Sequence, residues 1–197
     1  DPFCGSGTFP IEAAMIAADM APGMNRSFLS EDWKQVIPRK CWYEAMDEAQ
    51  ELVDDTVQVD IQGYDIDGDI IKAARANAEL AGVGHMIHFQ QRPVGQLSHP
   101  KKYGFLVTNP PYGERIEEKK NLPALYTQLG ERFAALDSWS AFLITSYEDV
   151  EKVLKTIGFY RLRGYSFHLY DNTTKKYVAG TTVSYTHLRA HETRGNL

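Results

Sequence analysis

The chain has 197 residues, is 43% hydrophobic and carries a formal net charge of −5. That is enough apolar material for one core and argues for a single domain, while the acidic balance excludes a basic stripe running over the whole surface. No run of about eighteen apolar residues occurs and the start has no signal-peptide pattern, so the expectation is a soluble, cytoplasmic protein with no membrane partner.

In chain order, the sequence opens on a glycine turn, Asp1 to Thr8, that runs into the apolar helix pattern Ile11, Ala14, Met15, Ala18. Residues Asn25 to Pro38 form an irregular insert, long enough to cover a pocket, and Trp42 to Asp54 reads as a second helix. Val57 to Tyr64 is the next strand, ending at Asp65-Ile66-Asp67, followed by an alanine-rich amphipathic helix from Asp69 to Ala81 that stops at Gly82. His88 to Gln91 is a short strand and Phe105 to Thr108 a buried one, closed by Asn109-Pro110-Pro111-Tyr112. A helix over Leu122 to Ala135, a strand over Ser140 to Thr145 and a last helix over Glu148 to Thr156 follow. Tyr160 to Tyr170 and Tyr177 to Val183 then make an antiparallel hairpin turned at Asp171-Asn172. Alternating strands and helices of this kind give a doubly wound, Rossmann-like α/β sheet.

The two ends are unusual. A glycine turn of this type ordinarily follows a hydrophobic strand, so the first strand is expected to be missing in front of Asp1. Residues 184–197 show neither strand alternation nor a continuing pattern. They read as an artefactual tail resembling translated adapter sequence, which leaves residues 1–183 as the domain. Cys4 and Cys41 have no metal-like spacing, His85, His88, His99 and His168 are scattered, and no metal is expected.

The glycine turn has Gly5 and Gly7 but Pro10 where a dinucleotide fingerprint needs a third glycine, and it lacks the lysine of a phosphate-binding loop. A cofactor without phosphates remains, S-adenosylmethionine, met by Asp1, Phe3, Gly5, Ser6, Gly7 and Thr8. The strand-end acids Asp65 and Asp67, flanking Ile66, offer a carboxylate to ribose hydroxyls, with helix N-capping as the competing role for either.

The second turn suits chemistry on an exocyclic amine. Such a nitrogen is a poor nucleophile because its lone pair is delocalised into the ring, and acceptors must hold its hydrogens as the methyl arrives. The Asn109 side-chain oxygen and the Pro110 carbonyl can do so. Pro111 stiffens the turn, and Tyr112 can stack on the target ring.

Asp1-Pro2-Phe3-Cys4-Gly5-Ser6-Gly7-Thr8, Asn25-Arg26 and Asn109-Pro110-Pro111-Tyr112-Gly113-Glu114-Arg115 together resemble the THUMP-associated RNA guanine-N2 methyltransferases, most of all the bacterial large-subunit ribosomal RNA type. The likeness runs from Asp1 to about Val183. It implies a class I S-adenosylmethionine-dependent fold, N2-methylation of a guanosine in RNA, and capture of that RNA largely by an upstream THUMP domain. It also implies a residue after the third strand that holds the adenine amino group. Many relatives carry an acid there, and Gln96 is the match in this chain. Adenine-N6 or glutamine-N5 transfer is the alternative chemistry, because those enzymes share the four-residue turn, and an inactive cofactor-binding fragment is the alternative class.

Overall fold

The computed structural model describes residues 1–112, 116–136, 138–145, 147, 149, 150, 153 and 166–171. Its elements run α1 (Thr8–Ala17), α2 (Arg39–Glu51), β1 (Ile61–Asp65), α3 (Gly68–Leu80), β2 (Ile87–Gln91), β3 (Gly104–Thr108), α4 (Ile116–Ala134), β4 (Trp139–Thr145) and β5 (Ser166–Asp171). β1 pairs parallel with β2, β3 pairs parallel with β4, and β5 closes the second sheet antiparallel to β4. Parallel strands joined by helices are the Rossmann-like arrangement expected from the alternating pattern.

Most elements start or stop within a few residues of the sequence-based positions, and the shifts have local causes. α2 begins at Arg39 because Pro38 occupies the cap position, where its fixed φ and missing N–H cost nothing. β1 is shorter than Val57 to Tyr64, since pairing with β2 begins only at Ile61 opposite Ile87. α4 extends six residues upstream of Leu122 and carries Pro123 inside it, a residue that reads as a helix start from sequence alone. The expected last helix falls on the described residues only at Asp149, Val150 and Val153, and the hairpin only at β5. The hairpin's second strand and the tail lie outside the described residues.

Two apolar cores sit side by side. One joins α1, α3 and β2 through Ala14, Ala18, Ile71, Ala74, Ala78 and Phe89. The other packs α4 on β3 and β4 through Leu106, Leu122, Tyr126, Phe133, Ala141 and Leu143. The α4 positions Leu122, Tyr126, Leu129 and Phe133 follow the three- and four-residue spacing that places side chains on one helical face.

Between β1 and β3 the strands are not paired. An open slot of about 380 Å³ lies there, with Ile61, Tyr64, Leu106, Val107, Leu136 and Trp139 among its walls. Phe105 and Val107 stand exposed on the face of β3 turned away from α4, beside the half-exposed Phe142 ring at 6.1 Å from Phe105. Residues 1–4 lie at the head of the slot. The Asp1 ammonium donates to Gln62 O (2.8 Å), Tyr64 N to Asp1 O (2.7 Å) and Cys4 N to Tyr64 O (2.8 Å), so this stub already runs beside β1 as a strand would.

After α2, Asp54 N donates to Ala18 O (2.9 Å), which ties the segment leading to β1 to the end of α1. α2 has no buried residue.

Candidate active site

The glycine turn is held by a small set of backbone-directed bonds. Gly5 and Gly7 both take positive φ, 52° and 93°, the left-handed region where a side chain is strained. Gly7 has a second reason to be glycine, because a Cβ there would meet Phe89 Cζ at 3.0 Å and Ala74 Cβ at 3.2 Å. Gly5 is different: nothing lies within 4 Å of the position its Cβ would take, so the turn opens onto free space there. From α3, Asn77 Nδ2 donates to Ser6 O (2.9 Å) and braces the turn from the side.

Asp65 ends β1 beside this turn. One carboxylate oxygen accepts from Gly5 N (3.2 Å) and the other from Asp67 N (3.0 Å), which fixes the plane of the group. A carboxylate offers about four lone-pair sites, so each oxygen keeps acceptor capacity for a ligand hydroxyl. Asp67 does something else. Its side chain caps α3, accepting from Asp69 N (2.8 Å) and Ile70 N (3.4 Å). Asp67 therefore takes the capping role that sequence left open to either acid, and its cap explains why α3 starts where it does. Ile66 between them is 71% exposed, an apolar side chain at the mouth of the site. Gln96 lies at the end of a short 3-10 turn after β2 and is exposed, with its backbone N–H bonded to Pro93 O (2.9 Å).

Cys4, buried next to Asp65, has its thiol pushed up to about 11, first by desolvation and then by the Asp65 charge. It stays protonated near neutral pH, consistent with a packing residue and not a nucleophile.

The second turn begins directly after β3. Thr108 is fully buried, and its hydroxyl donates to the Asp1 carboxylate at 2.5 Å, while the same carboxylate oxygen accepts from Phe3 N at 3.0 Å. Asp1 thus links the glycine turn to the residue immediately preceding Asn109. Asn109 is exposed, Pro110 is buried and Tyr112 is half-buried. Gly113 to Arg115, the extension of the motif, lie outside the described residues.

Thr108, Asn77 and Tyr126, whose hydroxyl reaches Pro111 O at 3.2 Å, are site residues that sequence reasoning missed. For Thr108 a signal existed in its position next to Asn109 at the end of a buried strand. Asn77 was visible only as a polar residue on an otherwise alanine-rich helix. Tyr126 carried no local signal beyond its place on an apolar stripe.

Residues 1–172 match the family described as UPF0020, RMKL-like, methyltransferase domain. The chain belongs to that family. Among RMKL-like relatives, "Putative RNA methyltransferase YpsC" of Bacillus subtilis (strain 168) is 43% identical over 152 residues, 77% of this chain and 39% of the relative. "Ribosomal RNA large subunit methyltransferase K/L" of Shewanella pealeana is 40% identical over 159 residues, 79% of this chain and 22% of the relative. Among solved structures, "SMU.472, a putative methyltransferase complexed with SAH" superposes with a TM-score of 0.75 at 35% identity, covering 92% of this chain and 48% of that one. The chain spans less than half the length of each of these proteins.

No helix among the described residues is long and apolar enough to cross a membrane.

Proposed function

We propose that this chain carries the catalytic centre of an S-adenosylmethionine-dependent RNA methyltransferase that modifies the exocyclic N2 amine of a guanosine in ribosomal RNA. The observation that carries the reading is the Thr108–Asp1 bond of 2.5 Å, which joins a glycine turn open at Gly5 to the start of the Asn109-Pro110-Pro111-Tyr112 turn. RNA methyltransferase names among the relatives, and the SAH held by SMU.472, support the substrate and cofactor classes.

The glycine turn fits the cofactor, because the space beside Gly5 is room that a side chain would fill and Asp65 retains acceptor capacity beside it. Asp1, Phe3, Gly5, Ser6, Gly7 and Thr8 would hold it, with Asp65 on the ribose hydroxyls, Ile66 and Gln96 on the adenine, and Asp67 shaping the helix end. When bound, S-adenosylmethionine supplies an electrophilic methyl on a sulfonium and leaves as the thioether. The chain's own part is orientation: Asn109 Oδ1 and the Pro110 carbonyl accept the amine hydrogens, and Tyr112 stacks on the base, so that the nitrogen lone pair faces the methyl. As the C–N bond forms, the amine gives up one proton to solvent. No nucleophile or metal enters this scheme. The acidic net charge of the chain fits RNA capture by an upstream THUMP domain.

Calorimetry with S-adenosylmethionine on the wild-type chain and on Asp65→Ala tests the cofactor assignment: binding is expected for the first and lost in the second. Absence of binding by folded wild-type chain would remove it. Nucleoside mass spectrometry of ribosomal RNA after incubation is expected to show N2-methylguanosine. Asn109→Ala should lower transfer by about 100-fold or more with cofactor binding intact. Methylation appearing on adenine N6 or on a protein glutamine instead would replace the guanosine reading.

A further inference from the structure

We infer that Tyr126 is the positioning residue of the Asn-Pro-Pro-Tyr turn, setting the direction of Tyr112 by donating a hydrogen bond to the Pro111 carbonyl. This rests on the proposed role of that turn in orienting a base.

In the sequence Asn109-Pro110-Pro111-Tyr112, the proline rings fix φ at 110 and 111 near −65°. The second proline also confines ψ of Pro110 to extended values. One backbone torsion inside the pair is left free, ψ of Pro111, and it sets the plane of the peptide that leads into Tyr112. Tyr126 acts on that torsion. Its hydroxyl donates to Pro111 O at 3.2 Å from the middle of α4, fifteen residues further along the chain.

The direction of this bond follows from the groups behind it. Tyr147 N, which can only donate, gives its proton to Thr145 Oγ1 at 3.1 Å. Thr145 Oγ1 lies 2.5 Å from Tyr126 Oη, and Pro111 O at the far end can only accept. A single ordering satisfies every contact: Tyr147 N–H to Thr145, Thr145 O–H to Tyr126, Tyr126 O–H to Pro111. Reversing the middle bond would leave two acceptors facing each other at Pro111. The chain of bonds is rigidly seated, since Tyr126, Thr145 and Pro110 are fully buried and the Tyr126 ring packs against Tyr147 at a centroid distance of 5.1 Å. Burial also pushes the Tyr126 hydroxyl up to about 12, which keeps it a donor across the physiological range.

Tyr126→Phe removes the donor and keeps the ring. The expected result is a 10- to 100-fold fall in kcat for methyl transfer, with the S-adenosylmethionine dissociation constant changed less than about 2-fold, because the glycine turn is untouched. Adding Thr145→Val to Tyr126→Phe also takes the acceptor away from Tyr147 N–H, so the double variant should be no more stable than Tyr126→Phe and should not recover kcat. Wild-type kcat in Tyr126→Phe would overturn the inference, as would recovery of kcat in the double variant. A substrate-independent measurement separates this from the methyltransferase reading: fluorotyrosine-labelled chain observed by ¹⁹F NMR, with the Tyr112 signal assigned by Tyr112→Phe. Tyr126→Phe is expected to shift and broaden that signal whichever nucleotide or protein is the substrate. An unmoved Tyr112 signal would overturn the positioning role even if the methyltransferase reading stands. Full transfer by Asn109→Ala would sink the reading while leaving the NMR result to judge Tyr126 by itself.

Discussion

The two halves of the molecule hold their turns in opposite ways. In the β1–β2 half, the glycine turn is fixed by bonds from neighbours on adjoining elements, Asp65 to Gly5 N and Asn77 to Ser6 O, over a core of small residues such as Ala14, Ala74 and Ala78. In the β3–β4 half, the proline turn is stiff in itself and is aimed from a distance, by a buried relay running from β4 through α4 over a core of large residues such as Tyr126, Phe133 and Leu143. A turn that must admit a ligand against its backbone is built from glycine and braced from outside. A turn that must present fixed acceptors is built from proline, with one torsion left for the fold to set. β1 and β3 do not pair, and the Asp1–Thr108 bond and the Tyr64 ring of β1, seated in the second core, are among the contacts that join the halves.

The largest expected effect comes from filling the slot between β1 and β3. A chain carrying about six extended apolar residues in front of Asp1 should lay them in the slot between β1 and β3, restoring ladder bonds on both edges and covering Leu106, Val107 and Trp139. Burial of the new side chains and of the β1 and β3 surface they cover, together with ladder bonds on both edges, should outweigh the ordering entropy by on the order of a few kcal/mol, a large share of the stability of a single domain. Urea denaturation of the two chains side by side measures it. The extended chain should unfold in one cooperative transition and the shorter one at lower denaturant, with the two halves separating first. Equal unfolding free energies would mean that the slot does not take a strand.

Why one half was more legible than the other follows from the same contrast. Glycine at positive φ and paired prolines are backbone requirements, written at the position where they act, and both turns were readable from Gly5, Gly7, Pro110 and Pro111 alone. Asp65 was readable as a strand-end acid, but which of Asp65 and Asp67 caps α3 depended on where the backbone N–H groups of Asp69 and Ile70 point. The aiming of the proline turn was not readable. Tyr126 and Thr145 look like ordinary core positions until α4 and β4 are folded together, and the helix that carries Tyr126 starts upstream of Pro123, against the residue's preference for a first turn. The return of the chain after α2 was not readable either: the Asp54–Ala18 bond, which ties it to the end of α1, is formed only once the two segments are folded together.

Within the first half, the two glycines separate stability from binding. Gly7→Ala forces a side chain into the left-handed region and against Phe89, Ala74 and Ile11, and should cost about 2–3 kcal/mol in thermal or urea unfolding. Gly5→Ala meets no neighbour, so its cost is the φ strain alone, about 1 kcal/mol, while its methyl group enters the space assigned to the cofactor. Calorimetry should therefore find S-adenosylmethionine binding lost in Gly5→Ala although the protein remains folded. Equal loss of stability in the two variants would mean that the turn is not packed as described.

The smallest effect is at the junction itself. The Asp1 ammonium, held against Gln62 O, has its pKa lowered from 8.0 to about 6 by desolvation. A cation whose folded pKa lies below its unfolded one is disfavoured by folding, so the penalty is complete below pH 6 and vanishes above pH 8, where the amine is neutral in both states. Stability should rise by about 1–2 kcal/mol between those limits, less than a two-unit shift would give in full because Asp1 keeps some solvent contact. The informative quantity is the difference between this chain and its amino-terminally acetylated form, in which every other group is common to both. Acetylation replaces the ammonium by an amide that can still donate to Gln62 O, and should flatten that part of the profile. The same flattening is expected whenever any residue precedes Asp1, because a peptide N–H then occupies the place of the charge and the stub becomes the end of a continuous strand. A profile that keeps its slope after acetylation would show that the ammonium is solvated and that the Asp1 stub does not seal the head of the slot.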